Sequence, residues 1–117
     1  MLLLIDSDRR SDTGWYGYDF IVNKEVKSGR KTTLMRWSPS ENDWKSVAEI
    51  KYCRKGNEME IAVPRAALKL DGMEQFTFDF KWADNPQSLT DPISLCTDGD
   101  SAPNRRFNYR CIWREKP

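Results

Sequence analysis

The chain has 117 residues, 19 Lys and Arg against 18 Asp and Glu, a formal net charge of +1 and no histidine. That length is one domain, residues 1–117, with enough chain to bury its own core. Balanced charge argues against a nucleic-acid surface, and the lack of His excludes His-assisted serine or cysteine catalysis and His-ligated zinc or haem.

The chain opens on an apolar strand, Leu2 to Ile5, too short for a membrane span or the apolar region of a signal peptide. A domain seldom begins inside a buried strand, so the chain reads as an N-terminally truncated piece of a longer polypeptide. An acidic loop with Asp6, Asp8 and Asp12 follows, and Thr13-Gly14 leads into an aromatic strand, Trp15 to Phe20. Alternation puts Tyr16, Tyr18, Phe20 and Val22 on one face of it and Trp15 on the other. Lys27 to Arg30 turns the chain back into a strand from Thr32 to Trp37, completing a hairpin. After the polar loop Ser38–Asp43, Trp44 to Arg54 alternates with Trp44, Ala48, Ile50 and Tyr52 in one register.

Gly56-Asn57 is a two-residue hairpin signal because both residues tolerate positive φ. Its partner strand, Glu58 to Val63, turns Met59, Ile61 and Val63 inward. Pro64 to Leu68 is the one helical piece, with Pro at its start and Asp71-Gly72 at its stop. The next strand sets Phe76, Phe78, Phe80 and Trp82 against Thr77, Asp79, Lys81 and Ala83. An irregular stretch runs from Asp84 to Pro103, and a last strand from about Arg106 to Trp113 alternates Phe107, Tyr109, Cys111 and Trp113. Seven or so short strands with hardly any helix predict an all-β fold, an antiparallel β-sandwich.

Cys53, Cys96 and Cys111 are far apart and form no CxxC pair, which argues against a zinc site. One disulfide plus a free thiol and three reduced thiols are both open, and the reduced state is favoured because the spacing gives no positive evidence for a bridge. Five tryptophans in so short a chain suit sugar binding. An aromatic ring matches the C–H face of a pyranose, at about 25 cal/mol per Å² of apolar area removed from water, and nearby polar groups bond the hydroxyls. Trp15, Trp44 and Trp82 have such neighbours in Asp12 and Asp19, in Asn42 and Asp43, and in Asp84 and Asn85. The same rings equally serve as core, above all Trp82 and Trp113. The spacing of Asp6, Asp8 and Asp12 is that of a hard-cation loop, although Asp residues also stabilise turns and Arg10 occupies a ligand position of the calcium-loop pattern. No carboxylate pair is marked out for glycoside hydrolysis, so a non-catalytic role is expected.

Four segments in order, LLLIDSDRRSDTGWYGYDFIVN, EIAVPRAALKL, FTFDFKWADNP and GDSAPNRRFNYR, resemble the family 9 carbohydrate-binding modules and the DOMON-like domains akin to them. The resemblance covers Leu2 to Tyr109. It implies a β-sandwich that binds an oligosaccharide or polysaccharide and often carries structural calcium. It also implies an accessory domain, secreted, periplasmic or at the cell surface, beside neighbouring domains of a larger bacterial protein such as a glycoside hydrolase. Carried over by motif, its sugar-site residues are Trp15, Asp19, Trp82, Asp84, Asn85, Arg106 and Asn108, with Asp100 in the same motif. Asp6, Asp8 and Asp12 are the candidate metal ligands. The alternative is a structural or interaction module with no sugar ligand.

Overall fold

An apolar run with no polar face has to be covered on both sides, and Leu2 to Ile5 lies inside the sheet. The computed structural model describes residues 2–10, 12–56, 58–68, 70, 75–84, 100–102 and 108–114. Among them are eight strands: β1 (Leu2–Asp6), β2 (Phe20–Val26), β3 (Lys31–Ser38), β4 (Asp43–Lys55), β5 (Glu58–Ala62), β6 (Gln75–Asp84), β7 (Asp100–Ala102) and β8 (Tyr109–Arg114). A single 3-10 turn, Arg65–Leu68, follows Pro64.

The fold is all-β, as expected. The strands form one antiparallel sheet in the order β5-β4-β3-β2-β1-β6-β7. Beyond β6, β8 pairs with Gln75 to Phe80 and β7 with Trp82 to Asp84. The sheet curls into a half-barrel that is sandwich-like in burying side chains on both faces. Leu4, Ile21, Met35 and Ala83 pack on the convex face. On the concave face, Ile5, Phe20, Val22, Leu34 and Ile50 pack with Leu68 and Leu70 from the 3-10 turn and the residues after it. Ile61 and Phe76 to Phe80 adjoin that cluster, so the two margins of the sheet approach one another across it.

Two local features depart from simple alternation. Trp15 to Phe20 is not one strand: Trp15 and Tyr18 exchange both backbone hydrogen bonds, at 2.8 and 3.0 Å, around Tyr16-Gly17. Both central residues have positive φ, 52° and 97°, as a type I′ turn requires. Trp15 and Tyr18 therefore fall on the same side and are both buried, while Tyr16 projects into solvent. The second feature lies in β4. Leu34 pairs with Ala48 but Met35 with Ser46, so Val47 is an extra residue. Such a bulge reverses the alternation. Trp44 joins the convex cluster while Ala48 and Ile50 stay with the concave one, against the single register expected for them.

Gly14 fixes the approach to the turn. It has φ +66°, and a Cβ there would lie 2.1 Å from the Tyr18 carbonyl oxygen. Gly14→Ala should cost about 2 kcal/mol or more, from left-handed strain plus a backbone clash. Gly29→Ala, where a Cβ meets nothing within 4 Å, should stay within about 0.5 kcal/mol of wild type. Urea unfolding of the two variants side by side checks the contrast.

Candidate functional site

The β1–β2 connection builds an acidic corner. Asp19 donates its N–H to the Ile5 carbonyl at 2.8 Å, and its own carbonyl accepts from the Trp37 N–H at 3.0 Å. Its carboxylate accepts from the Ser7 N–H at 3.0 Å and the Ser7 hydroxyl at 3.2 Å. This brings Asp19 to Asp6 and Asp8, with one carboxylate oxygen of each within 4.8 Å of the others. Asp12 turns away: it takes a two-pronged ion pair from Arg10, at 3.1 and 2.9 Å, on the open surface. The converging trio is thus Asp6, Asp8 and Asp19.

Three carboxylates so close cannot all remain ionised at little cost. Burial pushes the Asp6 carboxyl up to about 7, helped by its hydrogen bond with Asp8 and the charge of Asp19, against the Arg10 N–H. Burial also raises Asp19, with the Asp8 charge adding to it and the Ser7 bonds opposing. Asp8 is held low: burial works against this, but hydrogen bonds from Thr13 and from Asp6 outweigh it. The spacing fits a hard cation, whose oxygen ligands sit at about 2.3–2.6 Å, although calcium takes 6–8 oxygens and needs others besides these.

Beside this corner, on the convex side, four aromatic rings run in series. Tyr16 stands edge-on to Trp15 (5.3 Å, 85°), Trp15 lies 6.1 Å from Trp44, and Trp44 stands edge-on to Trp37 (5.2 Å, 74°). Trp15 and Trp44 are buried at the base, Trp37 is half-buried, and Tyr16 is 61% exposed. With Lys24, Asn42 and Asp43 they line a cleft of about 550 Å³. Tyr16 and Asn42 both have φ of 52°. Left-handed backbone is ordinary for Asn but costly for a bulky aromatic.

The predicted sugar-site residues divide between two places. Trp15 and Asp19 belong to this corner, and the Tyr18 hydroxyl donates to Asn108 Oδ1 there at 2.6 Å. Trp15 proves to be a buried support, at 6% exposure, rather than an open platform. Trp82 and Asp84 lie toward the opposite end of the sheet, where Leu2 pairs with Ala83. They line a groove of about 400 Å³ on the concave side with Asn23, Tyr52, Arg54 and Met59. Asn85 and Arg106 lie outside the described residues, as does Cys96; Cys53 and Cys111 are free thiols. Tyr16 and Lys24 escaped sequence reasoning: alternation counted Tyr16 as an inward strand residue, and nothing in the pattern marked Lys24. Asn42 and Asp43 were visible beside Trp44.

The middle of the concave face holds a third hollow, of about 450 Å³, walled almost wholly by apolar side chains, with Arg65 the one charged lining residue among the described residues. Comparison with family models, with curated proteins and with solved structures finds no match for the chain.

The acidic corner makes stability depend on pH in a defined direction. Asp6 titrates at its ordinary 3.8 in the unfolded chain but near 7 in the fold. The stability this proton confers is complete below about pH 4 and lost as pH rises through 7. Tm measured in chelator should therefore fall between pH 5 and pH 8, by roughly 4–8 °C for each kcal/mol lost. Asp6→Asn should flatten that slope. A wild-type Tm unchanged across the interval would show that the corner does not hold its proton.

Proposed function

We propose that the chain is a non-catalytic carbohydrate-binding domain whose ligand lies in the convex cleft between Tyr16 and Trp37. The observation that carries this is Tyr16: a large ring held in solvent, on strained backbone, braced edge-on by Trp15. Exposure alone is ordinary for an apolar side chain, but a two-residue turn alone is better served by Asn or Gly than by Tyr. An exposed ring face removes a sugar's C–H face from water, and Asn42, Asp43 and Lys24 supply acceptors and donors for its hydroxyls. Among the described residues the cleft lining includes one carboxylate, Asp43, where glycoside hydrolysis commonly uses two. Affinity of this kind is modest, roughly −4 to −8 kcal/mol.

Calcium at Asp6, Asp8 and Asp19 is part of the same proposal, in a structural role. Neutralising the trio would steady the loop that carries Tyr16. The resemblance to family 9 modules extends the proposal to an exported bacterial protein in which this domain holds a polysaccharide near neighbouring domains. The alternative of an interaction module draws on the apolar concave hollow. Its lining is the inside of a curl, however, and a stable interface buries about 800 Å² on each partner.

Titrating tryptophan fluorescence with a panel of oligosaccharides, with calcium and with chelator, tests the proposal. At least one sugar should shift or quench the emission. Trp37→Ala should then weaken binding about 5–30-fold, from about 1–2 kcal/mol of lost stacking. Tyr16→Gly removes ring and strain together, so its Tm should match or exceed wild type while affinity falls by a similar factor. Sugar binding unaffected by either substitution would place the site elsewhere, and silence from every sugar would end the carbohydrate proposal.

A further inference from the structure

The apolar hollow of the concave face is separate from the sugar cleft and has chemistry of its own. Leu3, Ile5, Leu68, Phe78 and Trp82 are among its walls. Its size lies within the range of small-molecule sites, about 300–1,000 Å³, which typically join apolar walls to a few fixed polar groups. Here the fixed polar group is Arg65. Its guanidinium carbon lies 4.6 Å from the centre of the Trp113 ring. Trp113 stacks on Phe76 (5.0 Å, 16°), and Phe76 on Phe78 (6.1 Å, 21°). The cation thus caps a column of aromatic rings that runs along one wall.

The guanidinium carbon sits over the Trp113 ring, a cation–π contact that uses none of the carboxylate-type acceptors an Arg fork can take. Arg10 and Arg110 direct their N–H donors at Asp12 and Asp79. Among the described residues Arg65 pairs with no carboxylate. A fork of donors beside an apolar hollow suits one planar anionic head on an apolar body.

We propose that this hollow binds a single-chain carboxylate amphiphile, with the alkyl chain against Phe76, Phe78 and Leu68 and the head on Arg65. One guanidinium matches one carboxylate in charge and in bidentate geometry. An inward-curving wall encloses a chain better than it meets a flat protein surface. The site is independent of the carbohydrate proposal, since the convex cleft and this hollow share no lining residue.

Cys111 supplies a built-in reporter: its thiol is free and lines the hollow, whereas Cys53 is free and exposed on β4. Alkylation of the intact chain, followed residue by residue by peptide mass spectrometry, would be measured with and without dodecanoate below its micelle concentration. Dodecanoate should slow modification of Cys111 about 5-fold or more at saturation, at about 100-fold above Kd, and leave Cys53 unchanged. Arg65→Gln, an exposed substitution, should weaken dodecanoate about 10-fold and leave dodecanol unaffected. Absence of Cys111 protection, or equal dodecanoate affinity in wild type and Arg65→Gln, would overturn the proposal. So would a concentration-dependent dimer in sedimentation that shields Cys111 and that dodecanoate does not dissociate, because a second copy would then be the occupant.

Discussion

Asp19 is the joint on which the arrangement depends. Its two backbone hydrogen bonds reach Ile5 on β1 and Trp37 on β3, and its carboxylate holds Ser7 at the exit of β1. Three consecutive strands of the chain are thereby clamped at one end by one residue. The clamp puts a carboxylate into a partly buried place beside Asp6 and Asp8. The charge conflict follows from the architecture: the group that locks the strands is also the one that crowds two other acids. Protonation of Asp6, which burial favours, relieves part of it.

The curl of the sheet then decides which side does what. On the convex side large side chains diverge, and Trp15, Trp37 and Trp44 fill the space as a series of tilted and edge-to-face contacts with Tyr16 at its rim. On the concave side they converge, and Phe76, Phe78 and Phe80 leave a hollow into which Leu68 and Leu70 are packed. Edge-to-face and offset contacts are the preferred aromatic geometries and stabilise beyond area alone. One sheet thus has a polar-rimmed aromatic cleft outside and an apolar hollow inside. Lys81, fully buried on the convex side opposite Leu4, belongs to neither.

Much of the fold was legible. The alternation of Phe76, Phe78, Phe80 and Trp82, and the turns at Lys27–Arg30 and Gly56, gave β6 and two hairpins close to their observed bounds. Pro64 marked the 3-10 turn. The candidate site was only half legible, for two local reasons. A two-residue turn at Tyr16-Gly17 with positive φ breaks the alternation that had put Tyr16 inside. The Val47 bulge moves Trp44 to the other face from Ala48. Nothing in an apolar–polar pattern announces an inserted residue, since the pairing partner sits on another strand.

By itself, then, the sequence determined an all-β chain, the strands with strict period two, and an acidic stretch after β1. These follow from local chemistry: side-chain alternation, turn residues with permissive φ, and charge spacing. Only the tertiary structure decided that Asp19 rather than Asp12 completes the acidic trio, because Asp12 had a cation two residues away and Asp19 is carried in by strand pairing. It also separated Trp15 from Trp82, which lie at different ends and on different faces of the sheet. Which aromatic ring is left in solvent is settled by register and curvature, which come from contacts distant in sequence, and by a turn whose partners only the fold aligns.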